Sequence, residues 1–271
     1  MRILIIPDSF KENLTSSEVA KAIRKGIINV LPKATIKEIP FSDGGEGALT
    51  VLEKYLNGRI IKCKTVNALG KNITADYFLF KDKKTAWIEL SQASGLNLIP
   101  EKKRNALIAS TYGTGLLIKD ALEKGCDEII LGVGGSATTD AGAGIFEALG
   151  GLLIDKEGNC LEKGGASLKK LNKIVHPKIS KKITWKVACD VSNPFLGEDG
   201  AANIYGPQKG ASKKDIAILN ESLTNFANNI ERKYKRKISG LVGGGAAGGT
   251  AAGLHGFFGA ALDSGFFLLS D

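Results

Sequence analysis

Glycine constrains this chain more than any other feature: 34 of its 271 residues are glycine, nearly twice the average usage of about 7%. The glycines keep no fixed period, so they do not form a repeat. They gather in short loops between apolar segments, where the missing Cβ lets a backbone come close to a ligand.

The apolar segments set the fold class. Residues 2–6 (RILII) form a short apolar run and read as a buried strand. Thr15-Ser16-Ser17-Glu18 is a capping-box pattern that opens a helix to about Leu31. A second strand is expected over 34–39, a helix over 48–56 and a strand over 59–66. This alternation points to a parallel sheet. Residues 72–80 and 85–90 then alternate apolar and polar about a charged turn, a hairpin signal. The shift predicts a boundary near residue 66, with residues 1–66 the first segment of one domain and 67–271 a second domain. The end of the second domain could return toward the first. Further on, the spacing predicts helices over 113–124, 138–149 and 213–235, strands over 128–133 and 183–189, and a glycine turn over 243–249 before a last helical stretch.

Composition narrows the function. The chain is 43% hydrophobic and 24% charged, an ordinary globular balance that excludes disorder or coiled coil as whole-chain readings. No apolar stretch approaches the roughly 20 residues that cross a bilayer. Pro7 and Asp8 break the N-terminal apolar run too soon for a signal peptide, so the expected location is cytoplasmic, without a membrane partner. Cys63, Cys126, Cys160 and Cys189 form no CxxC pair, and only His176 and His255 accompany them, which argues for reduced thiols rather than zinc or disulfides. The net charge of +9 raises nucleic acid as a partner. Its one dense run, Arg232 to Lys237, sits where basic residues suit the end of a helix, so no nucleic-acid partner is expected. The charge would also gather an anionic substrate.

Four loops share one design, an apolar strand that runs out into glycines and a few polar side chains. Gly132-Val133-Gly134-Gly135-Ser136-Ala137-Thr138-Thr139-Asp140 lies between a strand and a helix, so its backbone N–H groups are expected to converge on an anion such as phosphate. The alternative is a tight turn in which Ser136 or Thr138 caps the helix. The same loop satisfies G-x-G-x-x-A with Asp155 at a ribose-binding distance, which keeps a nicotinamide-dependent oxidoreductase as a second reading. Asp8, Ser9 and Lys11 cluster after the first strand, where the lysine can partner a phosphate or carboxylate. Asp43 and Glu46 flank glycines, as turn formers or as ligands. Asp190 follows an apolar strand and precedes Asn193-Pro194, placed for a general base or a magnesium ligand. Gly206-Pro207-Gln208-Lys209-Gly210-Ala211 and Gly243–Gly249 add close-approach backbone, the latter equally suited to helix packing.

Together DSFKENLTS, SDGGEG, GGSATTDAGAG, ACDVSNPFLGEDGAANIYGPQKGA and GGGAAGGTAAGL resemble the bacterial glycerate kinase family, in the family's order and along the whole chain. The departures are local: Glu12-Asn13 stands for the usual Gly-Ser, Ser42 for a common Ala, Thr139 for Asn and Ala141 for Gly. The resemblance implies an α/β protein with a Rossmann-like parallel-sheet domain, incomplete here, and a second mixed α/β domain, with the site between them. It implies ATP and Mg²⁺ as cofactors, D-glycerate as substrate and 2-phosphoglycerate as the favoured product; a homodimer is a separate expectation. On that reading Gly134, Gly135, Ser136, Ala137, Thr138 and Asn193 bind nucleotide. Lys11 meets the transferring phosphoryl group or the substrate carboxylate, and Asp190 is base or metal ligand. Asp8, Ser9, Asp43 and Glu46 line the substrate side. Family chains run further than Asp271, so a partial chain is expected, for which a non-catalytic basic binding module is a third reading.

Overall fold

The computed structural model describes residues 1–8, 10, 13–41, 47–82 and 84–270. The chain opens with β1 (Arg2–Ile5), α1 (Ser16–Val30), β2 (Thr35–Glu38) and α2 (Ala48–Tyr55). β1 and β2 pair in parallel from Arg2↔Thr35 to Ile5↔Glu38, with α1 as the crossover. The capping box forms as the sequence predicts: Glu18 N–H donates to Thr15 Oγ1 at 3.3 Å, and Thr15 N–H to the Glu18 carboxylate at 2.8 Å. These contacts satisfy donors that the first helical turn leaves free.

The following strands are β3 (Gly58–Val66), β4 (Asn72–Phe80), β5 (Thr85–Glu89) and β6 (Glu128–Gly132), then β7 (Leu152–Ile154), β8 (Lys173–Val175), β9 (Thr184–Ala188) and β10 (Ala261–Asp263). The helices among and after them are α3 (Ser91–Ser94), α4 (Tyr112–Glu123), α5 (Ala143–Ala148), α6 (Ala201–Tyr205), α7 (Lys213–Tyr234), α8 (Ala246–Phe258) and α9 (Gly265–Ser270). Six strands form one mixed sheet in the order β10-β9-β6-β5-β4-β3, parallel from β10 to β5 and antiparallel beyond.

β5 is buried at every residue, because the sheet is covered on both faces. Ala86, Ile88, Ile129, Leu131 and Val187 pack against Leu117 and Ile118 of α4 and Leu254 of α8. The alternate residues Phe78, Trp87, Ile130 and Ala188 pack against Leu49 and Leu52 of α2 on the other face. The period-2 geometry of a strand thus seats the first βα unit on one side of the sheet. A further core joins Leu223, Phe226 and Ile230 of α7 to Phe146 and Phe257, whose rings stack with centroids 3.9 Å apart. At the far end Leu268 returns to the α2 side, and the Phe266 ring lies 5.2 Å from that of Phe41. Among the described residues no helix is long and apolar enough to cross a membrane.

The structure corrects two local expectations. β3 pairs with β4 along its whole length, so the change of sheet falls before Gly58 rather than near residue 66. α5 begins at Ala143, not at residue 138, because Ala141 and Gly142 take left-handed conformations at φ 51° and 72°. Beyond these, β7 pairs antiparallel with β8 in a separate two-stranded sheet. The Arg232–Lys237 run ends α7 as expected: Lys235 caps it in the left-handed region, and Arg236 donates to Gly256 O at 2.9 Å.

The glycine turn at 243–249 serves packing. α8 is interrupted by left-handed Ala247, Gly248 and Gly249. A Cβ at Gly248 would overlap Thr138 O, and one at Gly253 would overlap Ala141 O. Gly253→Ala should therefore destabilise the fold by at least about 3 kcal/mol, since the obstacle is backbone. Gly26→Ala should stabilise it by about 0.5–1 kcal/mol, because Gly26 lies inside α1 with nothing within 4 Å of its added Cβ. Urea unfolding of both variants checks this; a Gly253→Ala midpoint equal to the parent's would mean that α8 moves freely off Ala141.

Candidate functional site

Parallel register brings four strand ends to one line: Glu89 pairs with Gly132, Gly132 with Ala188, and Ala188 with Asp263. The loops that leave this carboxyl edge begin with Leu90, Val133, Cys189 and Ser264. Such an edge is where open α/β sheets hold their ligands.

A cleft of about 500 Å³ opens between this edge and the first βα unit. Asp8, Phe10, Asn13, Thr15 and Gly47 line it from the first unit, and Glu89 and Gln92 from the sheet. Asp8 is exposed there. Ser9, Lys11, Asp43 and Glu46 lie outside the described residues. Their described neighbours Asp8, Phe10, Phe41 and Gly47 all border the cleft.

Glu89 is a residue that the sequence reading missed. It is 1% exposed, and its carboxylate accepts from Leu49 N–H at 2.7 Å and from Gln92 Nε2 at 3.4 Å. Helix α2 has Gly47 at its N-cap and no side-chain cap of its own. Glu89 fills that role from the opposite wall of the cleft, where a carboxylate also suits the positive helix end. The signal was present: an acid ends the apolar strand TAWIE as Asp190 follows KVAC.

The Gly134–Thr138 turn divides into two layers. Gly135 is exposed with φ 68°, and Gly134 is half-buried. Ser136, Ala137 and Thr138 are buried beneath them. Leu96 N–H donates to Gly135 O at 2.9 Å and Ala137 N–H to Ser94 O at 2.8 Å, so backbone pairing clamps the turn along α3 and the residues after it. The expected helix N-terminus is not at this turn, since α5 starts five residues after Thr138 and spans only six. Ser136 and Thr138 are therefore buried residues that cap no helix. Lys209, also missed, is 1% exposed and donates to Ser136 Oγ at 2.9 Å and Thr138 O at 2.6 Å. Burial pushes its ammonium down to about 7, with Asp140 pulling the other way.

Asp140 is fully buried and accepts from Thr111 N–H, Thr111 Oγ1, Gly142 N–H and Gly144 N–H at 2.8–3.2 Å. Burial raises its carboxyl, and these donors oppose the rise. The β6–α5–β7 segment is no dinucleotide-binding βαβ unit, because β7 leaves the sheet. Asp155 is instead a half-buried residue at the head of a turn, where it accepts from Asn159 N–H at 2.8 Å. This removes the structural basis of the nicotinamide reading.

Asp190 is exposed just past β9 and accepts from Ser264 Oγ at 2.6 Å and Gly265 N–H at 3.2 Å, which ties it to the start of α9. Asn193 works within its own loop: it accepts from Tyr205 OH at 2.7 Å and donates to Asp199 O at 3.1 Å. No group of three acidic, histidine or cysteine side chains among the described residues could enclose a metal ion. Magnesium in phosphoryl-transfer sites leans on one or two carboxylates plus substrate phosphates, and the accessible Asp190 carboxylate fits that more modest requirement.

Comparison with known proteins gives these features a common setting. Residues 3–271 match the model of the glycerate kinase family. The chain is 47% identical to a glycerate kinase of Halalkalibacterium halodurans over 97% of its length and 43% identical to the glycerate 2-kinase of Escherichia coli over 98%. It spans 70% of each of those proteins, and 62% of a Bacillus subtilis glycerate kinase to which it is 43% identical. A crystal structure assigned as a glycerate kinase 2 of Salmonella typhimurium LT2 superposes with a TM-score of 0.85 at 42% identity, covering 100% of this chain and 73% of that one. With its mixed α/β fold and its motifs in order, this chain belongs to the glycerate kinase family.

Proposed function

We propose that this chain transfers the γ-phosphoryl group of ATP to D-glycerate, with 2-phosphoglycerate as the product. The observation that carries the reading is the cleft between the first βα unit and the carboxyl edge, bordered by Asp8 and Gly47 on one side and by Glu89 and Gln92 on the other. Phosphoryl transfer demands positioning and charge neutralisation more than covalent chemistry from the protein, and this cleft has parts for both. A glycerate hydroxyl attacks the γ-phosphorus, its proton passes to a base, and ADP leaves with the electrons of the broken P–O bond. The backbone of half-buried Gly134 and exposed Gly135 meets the nucleotide phosphates. Asp190 accepts the hydroxyl proton or holds Mg²⁺, which when bound would neutralise charge on the phosphate oxygens. Lys11 faces the phosphoryl group or the substrate carboxylate, and Asp8, Ser9, Asp43 and Glu46 contact glycerate. Asn193 acts by shaping the loop after Asp190. A cytoplasmic location goes with the use of ATP.

Purified protein should release ADP from ATP only when D-glycerate and Mg²⁺ are both present. Oxidation of NADH by tartronate semialdehyde without any ADP release would overturn the reading.

Asp190→Asn separates the roles of that carboxylate. A lost general base should lower kcat by roughly 10²–10⁴-fold at near-normal ATP affinity. A lost magnesium ligand should be partly rescued by high Mg²⁺ or by Mn²⁺. If the carboxylate only holds Ser264 and Gly265, the variant should lose about 1 kcal/mol of stability and keep kcat within about tenfold. Kinetics across a magnesium titration, with melting alongside, distinguish the three.

Glu89→Ala should leave the buried Leu49 N–H without its partner, at a cost of about 1–3 kcal/mol, and should raise the KM for glycerate as α2 shifts. Glu89→Gln keeps an acceptor and should recover most of the melting temperature. Equal melting of the Ala and Gln variants would remove Glu89 from the positioning of α2.

A further inference from the structure

We infer that Lys209 is a positioning residue for nucleotide binding: from beneath the sheet edge its ammonium holds the Gly134–Thr138 turn in the shape that meets the phosphates. The inference rests on the phosphoryl-transfer reading and adds a residue to it.

A fully buried lysine is rare, because its charge is costly to remove from water. Here that charge makes no ion pair within 4 Å among the described residues. Both of its hydrogen-bond acceptors, Ser136 Oγ and Thr138 O, are neutral. The nearby acid, Asp140, is already engaged by Thr111, Gly142 and Gly144. A stability role would be better served by an apolar side chain of similar volume, since well-packed apolar substitutes for buried charges are often neutral or stabilising. The contacts point instead to the turn. Backbone pairing clamps its edges at Gly135 and Ala137, and Lys209 holds the two polar groups between and beyond those clamps.

The support for Lys209 is itself rigid. It ends a 3₁₀ turn, Pro207–Lys209, that follows α6. Gly210 adopts φ 86°, and a Cβ there would lie 2.6 Å from Arg104 O. Arg104 Nη1 donates to Gln208 O at 3.2 Å. Lys209 is therefore anchored on both sides, and its ammonium has little room to leave Ser136.

The test compares wild type, Lys209→Met and Ser136→Ala in steady-state kinetics with ATP and D-glycerate varied separately, each with its melting temperature. Lys209→Met should raise the KM for ATP by at least about tenfold, leave the KM for glycerate within about twofold, and melt close to wild type. Ser136→Ala removes one of the two acceptors and should shift the KM for ATP the same way by a smaller factor. An unchanged KM for ATP in folded Lys209→Met overturns the inference, as does an equal rise in both KM values. If Lys209→Met does not fold, Ser136→Ala decides: a raised KM for ATP alone supports the inference, and an unchanged one overturns it. Absence of glycerate-dependent ADP release from wild type would defeat the phosphoryl-transfer reading itself, an outcome distinct from these.

Discussion

The buried Asp140 carboxylate organises the ground on which the site stands. Its oxygens take the Thr111 N–H and hydroxyl at the start of α4 and the Gly142 and Gly144 N–H groups at the start of α5. Thr111 Oγ1 in turn accepts from Ile145 N–H at 3.1 Å. One side chain thus closes the N-terminal ends of two helices that pack on the same face of the sheet. Its charge also reaches Lys209 and Glu147; burial and then Asp140 push the Glu147 carboxyl up to about 7. An unpaired carboxylate at this depth would be untenable, so the chain around it must keep these donors in place.

That demand explains much of the glycine excess. Helix α8 reaches the Thr138–Ala141 segment only because Gly248 and Gly253 carry no Cβ, and Ala141 N–H donates to Gly248 O at 3.1 Å. Gly144 sits against Ser110 and Tyr112 in the same way, and Gly113 against Val66. Glycine therefore does two jobs in this protein. At Gly47, beside the cleft, and at Gly135, on the sheet edge, it shapes turns with positive φ, and at these other positions it lets backbone pack on backbone.

The central sheet converts this packing into a site. Because β5, β6, β9 and β10 run parallel, their carboxyl ends deliver Glu89, the Gly134 turn, Asp190 and Ser264 to one edge. Because the sheet is apolar on both faces, α2 can pack Leu49 and Leu52 against it while its first turn is held by Glu89 across the cleft. An anionic substrate meets this edge in a chain of net charge +9, which favours its approach without deciding where it binds.

The sequence by itself determined whatever depends on neighbours a few residues away. The capping box at Thr15 and the second one at Ser212, the span of α7 and the strands at 128–132 and 184–188 are local patterns of period and hydrogen bonding. Asp190 was legible for the same reason, as an acid at the end of an apolar strand, and so was membership of the family, carried by motifs in order. Tertiary structure alone decided the rest. The pairing of β3 with β4, the departure of β7 from the main sheet and the late start of α5 depend on partners far along the chain. The buried partner of Ser136 Oγ and Thr138 O is Lys209, more than 70 residues away. Glu89 gains its role only when α2 folds back against it from 40 residues upstream. Burial turns an ordinary acid or lysine into a functional one, and no short window of sequence carries burial.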